Sequence, residues 1–132
     1  MKYTSFDEVV LENINLNEVD RVHVLRYKDR ATLTLADKYE IKDLLDGFSG
    51  VKLKETRISG KEMYSIIIMG AAEYASPTIR SVRISLYDDQ MHIRDNSQIT
   101  RRNDTYTILN DTNYLEILES EELVWELREN RH

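Results

Sequence analysis

Asp88 and Asp89, with Asp95 a short way on, are the residues of this chain best suited by type to do chemistry. Carboxylates a few ångströms apart can divide the work of general acid and general base, or hydrolyse a glycosidic bond. Their surroundings argue for a plainer role. Each falls where an alternating apolar run stops, and Asp in a turn accepts hydrogen bonds from the backbone beside it. A small hydrolase is therefore the lesser expectation. His23 and His92 are the histidines away from the C-terminus, each in a stretch of strand character. A metal site needs three or four converging ligands, and no H-x-H, H-x3-H or H-E-x-x-H spacing supplies them. No G-x-S-x-G elbow activates a serine. Gly47, Gly50, Gly60 and Gly70 are too widely spread for a phosphate loop. On these grounds no catalytic residue, metal ligand or cofactor is expected.

Binding is a better prospect than catalysis. Arg80, Arg83, Arg94, Arg101 and Arg102 make the stretch from Thr78 to Thr107 the only locally basic one. On adjacent strands, with Tyr87 and Tyr106 nearby, these arginines would form a basic, aromatic face for an anionic partner or single-stranded nucleic acid. The plainer alternative is a solvated sheet face whose arginines pair with Asp88, Asp95 and an acidic C-terminal helix. Tyr74 lies among small residues, GAAEYASP, and would serve as an interface anchor from a loop. Trp125, on an apolar helical stripe, is expected in the core.

The bulk of the chain limits these options. Its 132 residues suffice for a single buried core, and 41% hydrophobic with 32% charged residues is an ordinary globular composition. There is no cysteine, hence no disulfide framework and no thiolate chemistry. No apolar run approaches the ~18 residues of a membrane span. A net charge of −6 argues against general nucleic-acid binding. The acidic residues concentrate at the two ends, in Asp7, Glu8, Glu12, Glu18 and Asp20, and in the run from Asp111 to Glu129.

The elements that must position these residues are legible in the pattern. Asp37 with Glu40 is a capping box, and Ile41, Leu44, Leu45 and Phe48 follow as one helical stripe. The helix over 38–48 is expected to stop between Gly47 and Gly50. Period-two alternation flanks it in TLTL and VKLK, so a strand–helix–strand unit lies at the centre of the fold. Upstream, VDRVHVLRY and the turn Lys28-Asp29-Arg30 make a hairpin into the Ala31–Leu35 strand. Downstream, Ser59-Gly60-Lys61 is a turn, MYSIIIM a strand, and 70–77 a loop. From Thr78 to Tyr87, Val82, Ile84 and Leu86 point inward, and Arg83, Ser85 and Tyr87 outward. Gln90–Arg94, Gln98–Arg102 and Thr105–Leu109 continue a meander, with turns at Asp88-Asp89, Asp95–Ser97 and Asn103-Asp104. Leu115 and Leu118 give a closing helical region near 112–128, and Ser120-Glu121-Glu122 opens a short helix containing Trp125. The expected fold is α+β: a mostly antiparallel sheet of about six to eight strands, packed by the 38–48 helix and the C-terminal helical region. Residues 1–18 are expected as an acidic first element, arm or tether ahead of a single domain over 19–132.

This order of elements, with LADKYEIKDLLDGFSGVKLKE, YSIIIM and NYLEILES, resembles a family of small uncharacterised YhfM-like domains of Gram-positive bacteria. Asp37, Lys38, Glu40, Ile41, Leu44 and Leu45, then Lys52 and Lys54, then Tyr64 and Ser65 carry the likeness. The family's members are often exported lipoproteins or the ends of secreted proteins, and no catalytic residue comes with the resemblance. It implies an extracytoplasmic module, held at the membrane only by a lipid anchor upstream of these residues, with a protein or envelope component as partner. Met1 and the absence of a lipobox depart from that pattern. A cytoplasmic acidic protein that binds or inhibits a basic partner is the alternative.

Overall fold

The strand-forming alternation beginning at Val19 becomes, in a computed structural model of the chain, one side of an eight-stranded antiparallel sheet. The structure describes residues 3–14, 16–57, 60–70, 81–95, 103–110, 116, 118, 119, 125 and 126. In chain order the strands are β1 (Tyr3–Ser5), β2 (Val19–Arg26), β3 (Ala31–Leu35), β4 (Lys52–Thr56), β5 (Tyr64–Gly70), β6 (Ser81–Leu86), β7 (Gln90–Asp95) and β8 (Asn103–Ile108). A one-turn helix, α1 (Phe6–Val9), follows β1, and the longer α2 (Lys38–Asp46) lies between β3 and β4. Across the sheet the order is β1-β4-β8-β7-β6-β5-β2-β3. The fold is α+β, as the pattern implies.

One face of the sheet carries the core. Directly paired residues of an antiparallel sheet share a face, and the row Leu33–Val24–Ile66–Ile84–Ile93 crosses five strands in register. All five are buried, and Ile41, Leu44 and Leu45 of α2 belong to the same apolar cluster. The Asp37 N-cap forms at its N-terminal end: the carboxylate accepts from the amides of Tyr39 and Glu40 at 2.8 and 3.1 Å. The helix ends at Asp46. Gly47 follows in right-handed geometry, whereas Gly50 takes φ +87, a conformation that costs other residues steric strain.

The N-terminal residues are an element of the fold and not an extended tether. Tyr3–Ser5 pairs with Lys52–Lys54, and Phe6, Val9 and Val10 are buried. Phe6 meets Phe48 at 5.2 Å between ring centroids. The acidic residues around them are the solvent side of an apolar anchor.

Two other expectations are corrected. Asn103 and Asp104 open β8 instead of forming a turn, because their backbone continues the ladder opposite Arg94 and Ile93. Trp125 is not helical. Glu126 forms a bridge with Thr32, with N···O distances of 2.8 and 2.9 Å, so it pairs with the outer edge of β3. That edge otherwise presents unpaired backbone groups, and pairing them outweighs a weak local helix preference. Glu116 and Leu118 are helical and Leu118 is buried; apart from Glu119, Trp125 and Glu126, the rest of the expected C-terminal helical region lies outside the described residues.

Candidate binding site

The sheet's second face has a composition that the alternation sets and the register assembles. Reading directly paired residues across it gives Thr34–His23–Ile67–Arg83–Arg94–Asn103, and beside it Thr32–Leu25–Ser65–Ser85–His92–Thr105–Thr56. A further row brings Gln90, Thr107 and Lys54 together. Lys52, Lys54, Arg83 and Arg94 are all on this face. Among the described strand residues the only carboxylate beside it is Asp20, at the bulge where Arg21 pairs with it at 3.6 Å. The strand carboxylates Glu55, Asp95 and Asp104 have the opposite parity and stand on the core side. A chain of net charge −6 thus presents, among its described strand residues, a mainly cationic sheet surface with Asp20 at its margin.

The residues singled out in the sequence fall on both sides of this arrangement. Arg83 and Arg94 lie directly opposite each other on adjacent strands, both exposed. Like charges so placed repel, and Arg83 turns away: its Nε donates to the Ser65 hydroxyl at 3.1 Å and a terminal nitrogen lies 3.8 Å from Glu62. Tyr87 is half-buried nearby, and its hydroxyl pKa is raised by burial and by Glu62. Tyr106 does not join the face. It is 2% exposed, opposite Met91 in the core, because its parity is that of Leu53 and Ile108. Tyr74, Arg80, Arg101 and Arg102 lie outside the described residues.

The catalytic candidates do not converge. Asp88 and Asp89 are exposed in the β6–β7 turn, whereas Asp95 is buried at the far end of β7 opposite Val82. Six residues of strand put about 20 Å between them. His23 and His92 share the outer face but are separated by β5 and β6. Each ring is held by a neighbouring strand, His23 by the Thr34 hydroxyl at 2.9 Å and His92 by the Thr105 hydroxyl at 2.7 Å.

At one end of the cationic face the structure adds a cleft of about 300 Å³, lined by Arg26, Tyr27, Lys28, Lys61, Glu62, Met63 and Tyr64. Two turns meet there because Arg26 of β2 is paired with Tyr64 of β5. The Tyr27 amide donates to the Met63 carbonyl at 3.0 Å, and the Met63 amide to the Leu86 carbonyl at 2.7 Å, fixing the floor. Arg26 donates from two nitrogens to the two Asp29 oxygens at 2.9 and 2.8 Å. These bonds hold the Asp29 carboxyl at a pKa of about 2, below its ordinary 3.8. The Ala31 amide adds a third donor to Asp29 at 3.1 Å. The Arg26 guanidinium also stacks on Trp125, whose ring lies 6.3 Å from that of Tyr64. Burial raises the Tyr64 hydroxyl pKa. Nothing in the linear pattern marks these residues beyond the two turns themselves, since their meeting is a matter of strand register.

No family model matches this chain, and no curated protein and no solved structure matches it either.

Proposed function

We propose that this protein is a non-enzymatic binding module that recognises an anionic component of the bacterial cell envelope through the outer face of its sheet. One observation carries the reading: Lys52, Lys54, Arg83 and Arg94 share a sheet face whose described strand positions hold no carboxylate apart from Asp20 at its bulge, in a chain that is acidic overall. Segregating charge against the net balance creates a local field that orients and accelerates encounter with a negative surface. The partly exposed Thr105 and Thr107 beside the cations are small enough to leave room for close approach. The envelope setting rests on the resemblance carried by the capped helix and the Lys52, Lys54, Tyr64 and Ser65 strands.

Binding to polyglutamate as a defined polyanion tests the mechanism. Affinity is expected to fall as salt rises from about 50 to 300 mM, in line with screening of surface charge. Lys54→Glu combined with Arg94→Glu is expected to abolish it, while Lys38→Glu on the exposed side of α2 leaves it unchanged. Salt-independent binding, or equal loss in both variants, rejects the face as the site. Fractionation of source cells with protease shaving tests the setting: the protein is expected at the surface, and recovery only in the cytosol rejects it.

A further inference from the structure

We infer that the cleft between the Lys28-Asp29 and Gly60-Lys61 turns binds a small organic carboxylate of single charge with an aromatic or branched apolar body. The cleft's size of about 300 Å³ fits a ligand no larger than one or two amino-acid residues. Tyr27, Met63 and Tyr64 supply an apolar floor, tied to the sheet by the backbone bonds of Met63. Its walls are set in advance. Arg26 is clamped by Asp29 and covered by Trp125, so its side chain has no ordering entropy left to lose when a ligand enters.

Charge selects the ligand. Arg26 is satisfied by Asp29, and Arg83 stands beside Glu62. Lys28 and Lys61 make no salt bridge with any described residue, and both are exposed at the cleft. The two ammonium groups favour an anion, while Glu62 on the same wall and Glu119, close enough to raise the Tyr64 hydroxyl pKa, disfavour a highly charged one. This site is independent of the polyanion reading, because Lys28 and Lys61 lie off the outer-face rows.

Trp125 is the only tryptophan in the chain and stacks on a lining residue, so its fluorescence reports on the cleft. The experiment titrates the full chain with N-acetyl-phenylalanine and, separately, with its neutral amide, following Trp125 emission and backbone amide shifts. The carboxylate is expected to give a saturable change with shifts centred on residues 26–28 and 61–64, and the amide to bind at least tenfold more weakly. Lys28→Ala with Lys61→Ala is expected to weaken the carboxylate about tenfold, the size of a lost charged contact, with thermal unfolding unchanged and polyglutamate binding retained. Equal affinity for both probes, no saturable response, or full affinity in the double variant overturns the assignment. Retained carboxylate binding with lost polyglutamate binding in Lys54→Glu/Arg94→Glu separates this site from the outer face.

Discussion

The guanidinium of Arg26 lies 4.4 Å from the centroid of the Trp125 ring, although the two residues stand near opposite ends of the chain. Arg26 has the parity of the core face yet is charged, and it is accommodated because Asp29 takes its hydrogen bonds while Trp125 and Tyr64 flank it. The adjacent bridge between Glu126 and Thr32 turns this contact into a clasp on the β3 edge.

Trp125→Ala is therefore expected to destabilise the fold by about 2 kcal/mol, from lost aromatic packing and the cation–π contact. Trp125→Phe should lose about half as much. Urea unfolding followed by circular dichroism measures both. Hydrogen exchange at Thr32, whose amide donates to the Glu126 carbonyl, should accelerate in Trp125→Ala. An unchanged midpoint and unchanged exchange would show that the clasp contributes nothing.

Phe6→Ala tests whether the N-terminal residues belong to the core. Phe6 is fully buried against Phe48. Its truncation should cost about 3–5 kcal/mol, the range for a large aromatic in a packed interior. A tether residue would tolerate the change within a few tenths of a kcal/mol.

Asp29 gives a pH signature. Its folded pKa, about 2, is depressed from 3.8 by the Arg26 hydrogen bonds, so the carboxylate stabilises the native state. That contribution is fully present above about pH 4 and is lost as pH falls towards 2, where the folded carboxyl finally takes its proton. Side-chain carboxyl NMR should find this midpoint, and Asp29→Asn should flatten the stability profile between pH 4 and 2. A midpoint near 3.8 would mean the pair does not persist in solution.

Gly50 joins three parts of the chain. Its left-handed backbone donates to Asp7 at 3.2 Å and accepts from the Asn110 amide at 2.8 Å. No atom lies within 4 Å of where a Cβ would stand, so the conformation and not the space restricts this position. Gly50→Ala should cost about 1 kcal/mol by differential scanning calorimetry. Gly50→Asn, which tolerates φ above zero, should cost less.

Local order was legible in the sequence where side chains interact with their own neighbours. The Asp37 cap, the Ile41–Leu44–Leu45 stripe and the inward set Val82, Ile84 and Leu86 each follow from spacing alone, and each is found buried or bonded as read. Phe6, Val9 and Val10 left the choice between element and tether open, since a few apolar residues among acids form no sustained period. Trp125 misled because its apolar neighbours suit a helix, while the unpaired β3 edge that captures the adjacent residue comes from a distant part of the chain.

What the sequence determined by itself is the fold class, the helix and the alternation that gives each strand an apolar and a polar side, because those depend on contacts between residues close in the chain. Only the tertiary structure decided which polar sides face together. Register places Arg83 opposite Arg94, sends Tyr106 and Asp95 to the core side, and brings the turns at Lys28 and Lys61 to one cleft. A shift of one residue in any strand would exchange its faces, and the energy that fixes the shift is the burial of side chains from strands far apart in sequence.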